Sequence, residues 1–533
     1  MKNCLINKTL ARLMVYGSVL AILVTGCKKD PKIAPGEPAP GNPGSSGATG
    51  TRAELTKDSI FLYAKEVYLW NDALPSYEQF NPRKYNQSSN ELENFNRELF
   101  AITQFKINPS TGKPYEFVSE TSASPKYSYI TDHESKDPSK TKRISAVNLE
   151  GVGTDFGFGF RGLGTEASYQ IYIRFVNPGS PAAKAGLSRG DIITQLNDRK
   201  FGSGFANDVN FILSAFDMQT FNLAGIKPDG TTFTRTLSKS TYTSNPIFRD
   251  TVITVSGKKI GYFAFARFSS AANAESVLTE VFSKFASSGV TDLVVDFRYN
   301  GGGFVSTAEH LTNLIAPSSL NGKVMFTEHF NSLMQSGQAN ILKKQPLTDG
   351  NDRQRFSNGK ALTYFDVDYS VAGNTNKFSK KGTLEGISKV VFIVTGNTAS
   401  ASELVINNLK PHLDVKIVGE KSYGKPVGFF PIKIDKYDVY YSMFQSRNSV
   451  GEGDYFAGFT PDKTAFDDFT RNFGEPQEVS FATAIKYITQ GTFVASTSVK
   501  VMGRTMSSSD LRVMGAVNDE SFKGMIETRV KIK

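Results

Sequence analysis

From residue 250 onward, short apolar runs alternate with stretches whose apolar residues recur every three or four positions. Ile260–Phe265, Leu293–Val295, Val390–Val394 and Val415–Val418 are too short for helices and read as buried strands. Between them, 272–285 carries Val277, Leu278, Val281, Phe282 and Phe285 on one stripe, and 304–315 and 400–409 keep helical spacing. This alternation predicts a parallel sheet covered by helices, with any site at the carboxyl ends of the strands. The polar, Gly/Asn/Lys-rich stretch 318–386 reads as an insertion bearing short strands.

Upstream the pattern changes. Leu55, Ile60, Tyr63, Ala64 and Val67 fall near helical spacing with Thr56 as an N-cap, and 90–105 reads as a second helix. A helical N-terminal domain is expected over 53–145. The block 146–245 reads differently. A Gly-rich loop at Phe156-Gly157-Phe158-Gly159-Phe160 leads to a strand at 170–176, then a turn and a short helix closed by Gly186. A further strand opens at Gly190-Asp191. That is a small β-rich domain, placed ahead of an α/β core at 246–490 and a Ser/Met-rich tail at 491–533.

The first residues carry an address rather than a fold. Met1–Arg12 is polar and positive, and Leu13–Val24 is a mostly apolar run of twelve residues. At helical rise that run spans about 18 Å, short of the roughly 30 Å hydrocarbon core of a bilayer. It reads as the apolar region of a signal peptide over 1–26. Val24-Thr25-Gly26-Cys27 resembles a bacterial lipobox, which implies acylation of Cys27 and a membrane anchor without a spanning helix. Residues 27–52, with five prolines and five glycines between Pro31 and Gly50, read as a tether. The expected location is the cell envelope of a Gram-negative bacterium, periplasmic or surface-facing.

Composition narrows the chemistry. The only cysteines are Cys4 and Cys27, so disulfides, thiolate zinc sites and a cysteine nucleophile are excluded from the folded part. Four histidines (His133, His310, His329 and His412) leave little room for a multi-histidine metal centre, and no metal or other cofactor is expected. The net charge of +10 is a balance of 61 basic and 51 acidic residues without a long basic run, so nucleic acid is not an expected partner. Catalysis, if present, must run on hydroxyls, lysines or carboxylates.

Two loops at strand ends suit such chemistry. In Thr398-Ala399-Ser400-Ala401-Ser402-Glu403 a strand turns sharply into a helix, which sets the Ser400 hydroxyl beside a helix N-terminus. The Ala401 N–H can then face a developing oxyanion, with Gly302 or Gly303 of Asn300–Gly303 as second donor. Ser402 is a competing hydroxyl, Glu403 reads as a group that satisfies backbone or a neighbouring cation rather than as a base, and Asp296 is expected to pair with Arg298. Lys425, twenty-five residues after Ser400, is a candidate base, because burial can lower a lysine pKa enough for the neutral amine to accept a proton.

Taken together, DFRYNGGG at 296–303, TASASE at 398–403, GEKSYGK at 419–425 and the 458–462 stretch GFTPD resemble the C-terminal processing (tail-specific) serine peptidases. SPAAKAGL at 180–187 and GDII at 190–193 resemble a PDZ domain. The fold class so implied is multi-domain α/β: an N-terminal helical domain, a PDZ-like β-rich domain and an α/β catalytic core of the C-terminal processing peptidase type. The resemblance makes Ser400 the nucleophile, Lys425 the general base, and Ala401 with Gly302 or Gly303 the oxyanion donors. It also makes the backbone of Phe156, Gly157, Phe158, Gly159 and Phe160 the receiver of a substrate's C-terminal carboxylate. Polypeptides, engaged through their C-termini, are the implied partners. Family members often carry a glutamine four residues after the lysine; Phe429 stands there. The rival reading is a non-proteolytic surface-binding lipoprotein on the same fold.

Overall fold

A computed structural model of the chain describes residues 49–132, 147–349 and 352–493, together with 499–501, 504–506, 513–514, 524–527 and 529–533. The signal segment, Cys27, most of the tether and His133 lie outside the described residues.

The central sheet runs in the order Ile247–Val255, Lys258–Phe265, Asp292–Asp296, Lys389–Val394, Asp414–Gly419 and Lys463–Thr464. Its first pair is antiparallel and each later pair parallel. Side chains alternate between two buried faces. Leu293, Val295, Val390 and Phe392 enter one apolar cluster, and Val294, Val391 and Ile393 enter another. Helices Ala271–Ser287, Val305–Ile315 and Ala401–Leu409 supply the first cluster, and Val479–Gln490 the second. This is the α/β architecture expected from the apolar pattern.

The N-terminal helices join the first cluster. Ile60, Phe61, Phe95 and Leu99 share it with Val295 and Phe392, so the helical segment and the sheet have a common core. The first helix spans Arg52–Val67 and begins before the expected cap. Thr51 is the N-cap, in a capping box where Glu54 Oε2 accepts from the Thr51 N–H at 2.7 Å. Thr56 sits inside the helix and donates to Arg52 O at 3.0 Å. Among the described residues no helix is long and apolar enough to cross a membrane.

Residues 158–238 form a separate antiparallel sheet in the order Thr232–Ser238, Thr220–Ile226, Ile192–Leu196, Ser168–Val176 and Phe158–Thr165. The one-turn helix Pro181–Lys184 starts where Ser180 Oγ accepts from Ala183 N at 3.2 Å, with Pro181 at the first position, where no N–H is needed.

A buried ionic cluster fastens this sheet to the core. Arg298, fully buried, donates to Asp296 (2.7–3.0 Å), to Glu478 (2.9 and 3.1 Å) and to Asp467 at 2.8 Å. Arg189, from the β-rich domain, donates to the same Asp467 oxygen at 2.6 Å and to Tyr299 Oη at 2.6 Å. Desolvation opposes the charged form of Asp467, yet Arg189 and Arg298 hold its carboxyl well below the usual carboxylate range. Asp296 and Arg298 therefore pair as the sequence suggests, within a cluster whose distant members it does not reveal.

Removing one partner of a buried ionic cluster strands the others. Arg298→Met is expected to lower stability by about 3–5 kcal/mol, read from the urea midpoint. A depressed carboxyl contributes fully above its unfolded pKa, and that contribution is lost as pH falls below about 4. Asp467→Asn is expected to flatten the acid side of the melting-temperature profile measured between about pH 3 and pH 7.

Candidate active site

Three loops leave the carboxyl ends of adjacent parallel strands on one side of the sheet: 297–303, 395–400 and 420–425. Ser400 ends the second and directly precedes helix Ala401–Leu409. Its backbone has φ 61° and ψ −113°, a conformation that costs a non-glycine residue about 1–3 kcal/mol. Neighbouring bonds hold it there. Ala399 N and Ser402 Oγ donate to Asn300 O at 3.1 and 3.0 Å, and Thr398 Oγ1 donates to Phe297 O at 2.7 Å. Ser402 is thereby committed to the first loop. Ser400 is fully buried, and its Oγ has no hydrogen-bond partner among the described residues.

Glu403 joins this loop to the third. Its Oε2 accepts from Ser400 N at 2.9 Å and from Lys425 N at 2.8 Å. Its Oε1 accepts from Gly424 N at 2.7 Å and Ser422 Oγ at 2.6 Å. Complete burial pushes the carboxyl up, and the bonds from Ser422, Lys425, Ser400 and Gly424 pull it back. The sequence-based reading of Glu403 as a backbone-satisfying group is what the geometry contains. Its scale was hidden, because three of the four donors lie 19 to 22 residues away.

Lys425 is buried, with its Nζ 4.3 Å from the centre of the Phe429 ring and 5.8 Å from that of Tyr127. Tyr127 Oη donates to Gly424 O at 2.5 Å. Burial, and secondarily Glu116, keep this hydroxyl well above its usual pKa, so it stays a donor. Phe429, at the position where the resembled family often carries glutamine, thus sets its ring face against the Lys425 Nζ. Tyr129 and Tyr440 brace it at 5.5 and 5.3 Å between ring centres.

In the first loop Gly302 and Gly303 take φ of 105° and 140°, open to glycine and strained for other residues. A side chain on Gly302 would begin 2.9 Å from Ser400 Cβ, so this backbone passes close to the serine. The Gly302 N–H already donates to Asn300 Oδ1 at 3.0 Å. Ala401 opens the helix beside Ser400.

The Phe156–Phe160 loop lies in the β-rich domain. Phe156, Phe158 and Phe160 are buried against Phe216, so their rings build the core. The expected loop is shorter than the glycines suggested: Phe158–Phe160 already belong to the strand Phe158–Thr165, paired with Ser168–Val176, and Gly157 and Gly159 are buried with them. His310 and His412 bond to Thr279 and Ser449. Among the described residues no group of three or more His, Cys, Asp or Glu side chains is placed to hold a metal ion.

Residues 259–464 match the model of peptidase family S41, and residues 146–205 match that of the PDZ domain. The chain is 25% identical over 281 residues to the chloroplastic C-terminal processing peptidase of Tetradesmus obliquus, covering 50% of this chain and 51% of the relative. It is 25% identical over 280 residues to the carboxy-terminal-processing protease of Bartonella bacilliformis, covering 50% and 52%. The chain therefore spans about half the length of the curated relatives it matches. A crystal structure described as an S41 protease of Bacteroides fragilis superposes with a TM-score of 0.51 at 21% identity, over 81% of this chain and 97% of that one. The chain thus combines a PDZ domain with an S41 peptidase domain, and C-terminal processing proteases are its homologues.

Replacing the Glu403 carboxylate by an amide sets an NH₂ against backbone donors. Glu403→Gln is expected to cost about 1.5–3 kcal/mol in stability. Hydrogen exchange followed by mass spectrometry should show faster exchange at both 398–403 and 422–428.

Proposed function

We propose that this chain is a serine endopeptidase in which Ser400 is the nucleophile and Lys425 the general base. The observation that carries this reading is the single Glu403 oxygen that accepts from the backbone of both residues, beside a strained serine whose hydroxyl is uncommitted. The neutral Lys425 amine takes the Ser400 proton as Oγ attacks a peptide carbonyl. The oxyanion is received by the Ala401 N–H and by Gly303, since Gly302 already serves Asn300. Lys425 then protonates the leaving amine, and water releases the acyl group. Phe429 and Tyr127 take the orienting place of the missing glutamine, and the aromatic face supports the ammonium formed in the first step.

In this reading the PDZ domain recognises substrate C-terminal segments. The peptide adds as a strand to the edge Phe158–Thr165, with its carboxylate on the backbone of Phe156 and Gly157, where the chain enters that strand. An acyl chain on Cys27 holds the enzyme on a bilayer of the cell envelope.

Hydrolysis of an unfolded protein should fall to background in Ser400→Ala and by about 10²–10⁴-fold in Lys425→Ala, with circular dichroism unchanged. Folded variants of both kinds that retain full activity would exclude the dyad. Phe429→Ala is expected to lower kcat by about 10- to 100-fold with little change in KM, as loss of orientation requires.

A further inference from the structure

The chain's own C-terminal residues lie on both surfaces that a peptide substrate would use. Val513–Met514 pairs antiparallel with the edge strand Phe158–Thr165, Val513 opposite Leu163 and Met514 opposite Gly162. Gly524–Ile526 pairs in parallel with Gly302–Phe304, the glycine loop beside Ser400. Gly524 N donates to Gly301 O at 3.2 Å, and Phe429 N donates to Met525 O at 3.2 Å on the opposite side. The segment is thus a strand held between the oxyanion loop and the aromatic wall of Lys425. Gly524 O lies 2.5 Å from the point where a Gly302 side chain would begin, and Ser400 Cβ lies 2.9 Å from that same point. A backbone carbonyl therefore stands next to the nucleophile.

Side chains hold the strand in this register. Met525 is fully buried, and its sulfur accepts from Ser446 Oγ at 3.4 Å. Beyond it the chain end is fixed to the 318–386 insertion: Asp368 N donates to Lys531 O at 2.8 Å and Lys533 N to Asp366 O at 2.9 Å.

We propose that residues 513–514 and 524–526 act as a built-in peptide ligand, which blocks the site until displaced and marks the track of an extended substrate. This rests on the peptidase reading above. It specifies the ligand as an extended segment with a small residue opposite Gly302, followed by a large flexible apolar residue in the place of Met525.

The test compares the full chain, a chain lacking 513–533, and the full-length variant Met525→Asp. The readouts are hydrolysis of an unfolded protein and fluorophosphonate labelling of Ser400. Both changes are expected to raise both rates by about tenfold or more, because a self-occupied site is open for only a fraction of the time. A synthetic peptide of residues 513–533 should suppress the gain. Folded variants with rates equal to or below those of the full chain would overturn the proposal and make the tail part of the site's framework. If the truncated chain fails to fold, Met525→Asp decides by the same criterion. If no form labels or cleaves, the peptidase reading fails, and anisotropy of the fluorescent 513–533 peptide decides the tail alone. Binding to either variant but not to the full chain supports it, and absence of binding to the variants overturns it.

Discussion

A carboxylate taken wholly out of water costs several kcal/mol unless its lone pairs are filled. Glu403 meets that condition through Ser400, Lys425, Gly424 and Ser422, and each of those bonds fixes a piece of chain. The residue stands in the first turn of helix Ala401–Leu409, where the helix dipole favours negative charge. It therefore belongs rigidly to the element that follows the serine while it reaches the loop that carries the lysine. Ser422 extends the reach, since its Oγ accepts from Phe459 N at 2.7 Å. The strained backbone of Ser400 persists because this buried group and the Asn300 loop constrain it from both sides.

The first loop has its own anchor. Asp296, Arg298 and Asn300 alternate along 296–300, the first two in the ionic cluster and the third bonded to Phe265 O at 3.0 Å. Asp467 carries the cluster to Arg189 of the PDZ domain, so one carboxylate joins the β-rich domain to the residues that precede the glycine loop. A cavity of about 230 Å³ at the same junction is lined by Arg161, Tyr299 and Asn397, bringing the PDZ sheet up to the turn before Ser400.

What could be read from the sequence was local or periodic. The runs at 293–295 and 390–394 announced buried strands because both of their faces are apolar, and the loops that follow them carry Gly302 and Ser400. The capping box at Thr51–Glu54 was legible too, but the apolar stripe beginning at Leu55 pointed to Thr56 instead. The surroundings of Lys425 were not legible, because Tyr127 lies 297 residues before the carbonyl it binds and no local pattern encodes that pairing. Phe429 registered as a missing glutamine. Only its position against the Lys425 Nζ turns the absence into a contact.

The tail, as proposed, would extend this dependence on distant partners to the access of substrate. A ligand carried on the same chain acts at an effective concentration that can reach the millimolar range, so under the proposed reading an incoming polypeptide would compete against a resident rather than enter an empty groove. The two contacts, at Leu163 on the PDZ edge and at Gly302 beside the serine, span two and three residues. Joined by one chain they support each other, and freeing either weakens the hold of the other. A polypeptide that takes the PDZ edge first would remove one attachment, leaving the strand beside Gly302 and the chain end on the 318–386 insertion. On that account, recognition of a substrate end and opening of the site are successive parts of one strand exchange, with backbone hydrogen bonds traded one for another.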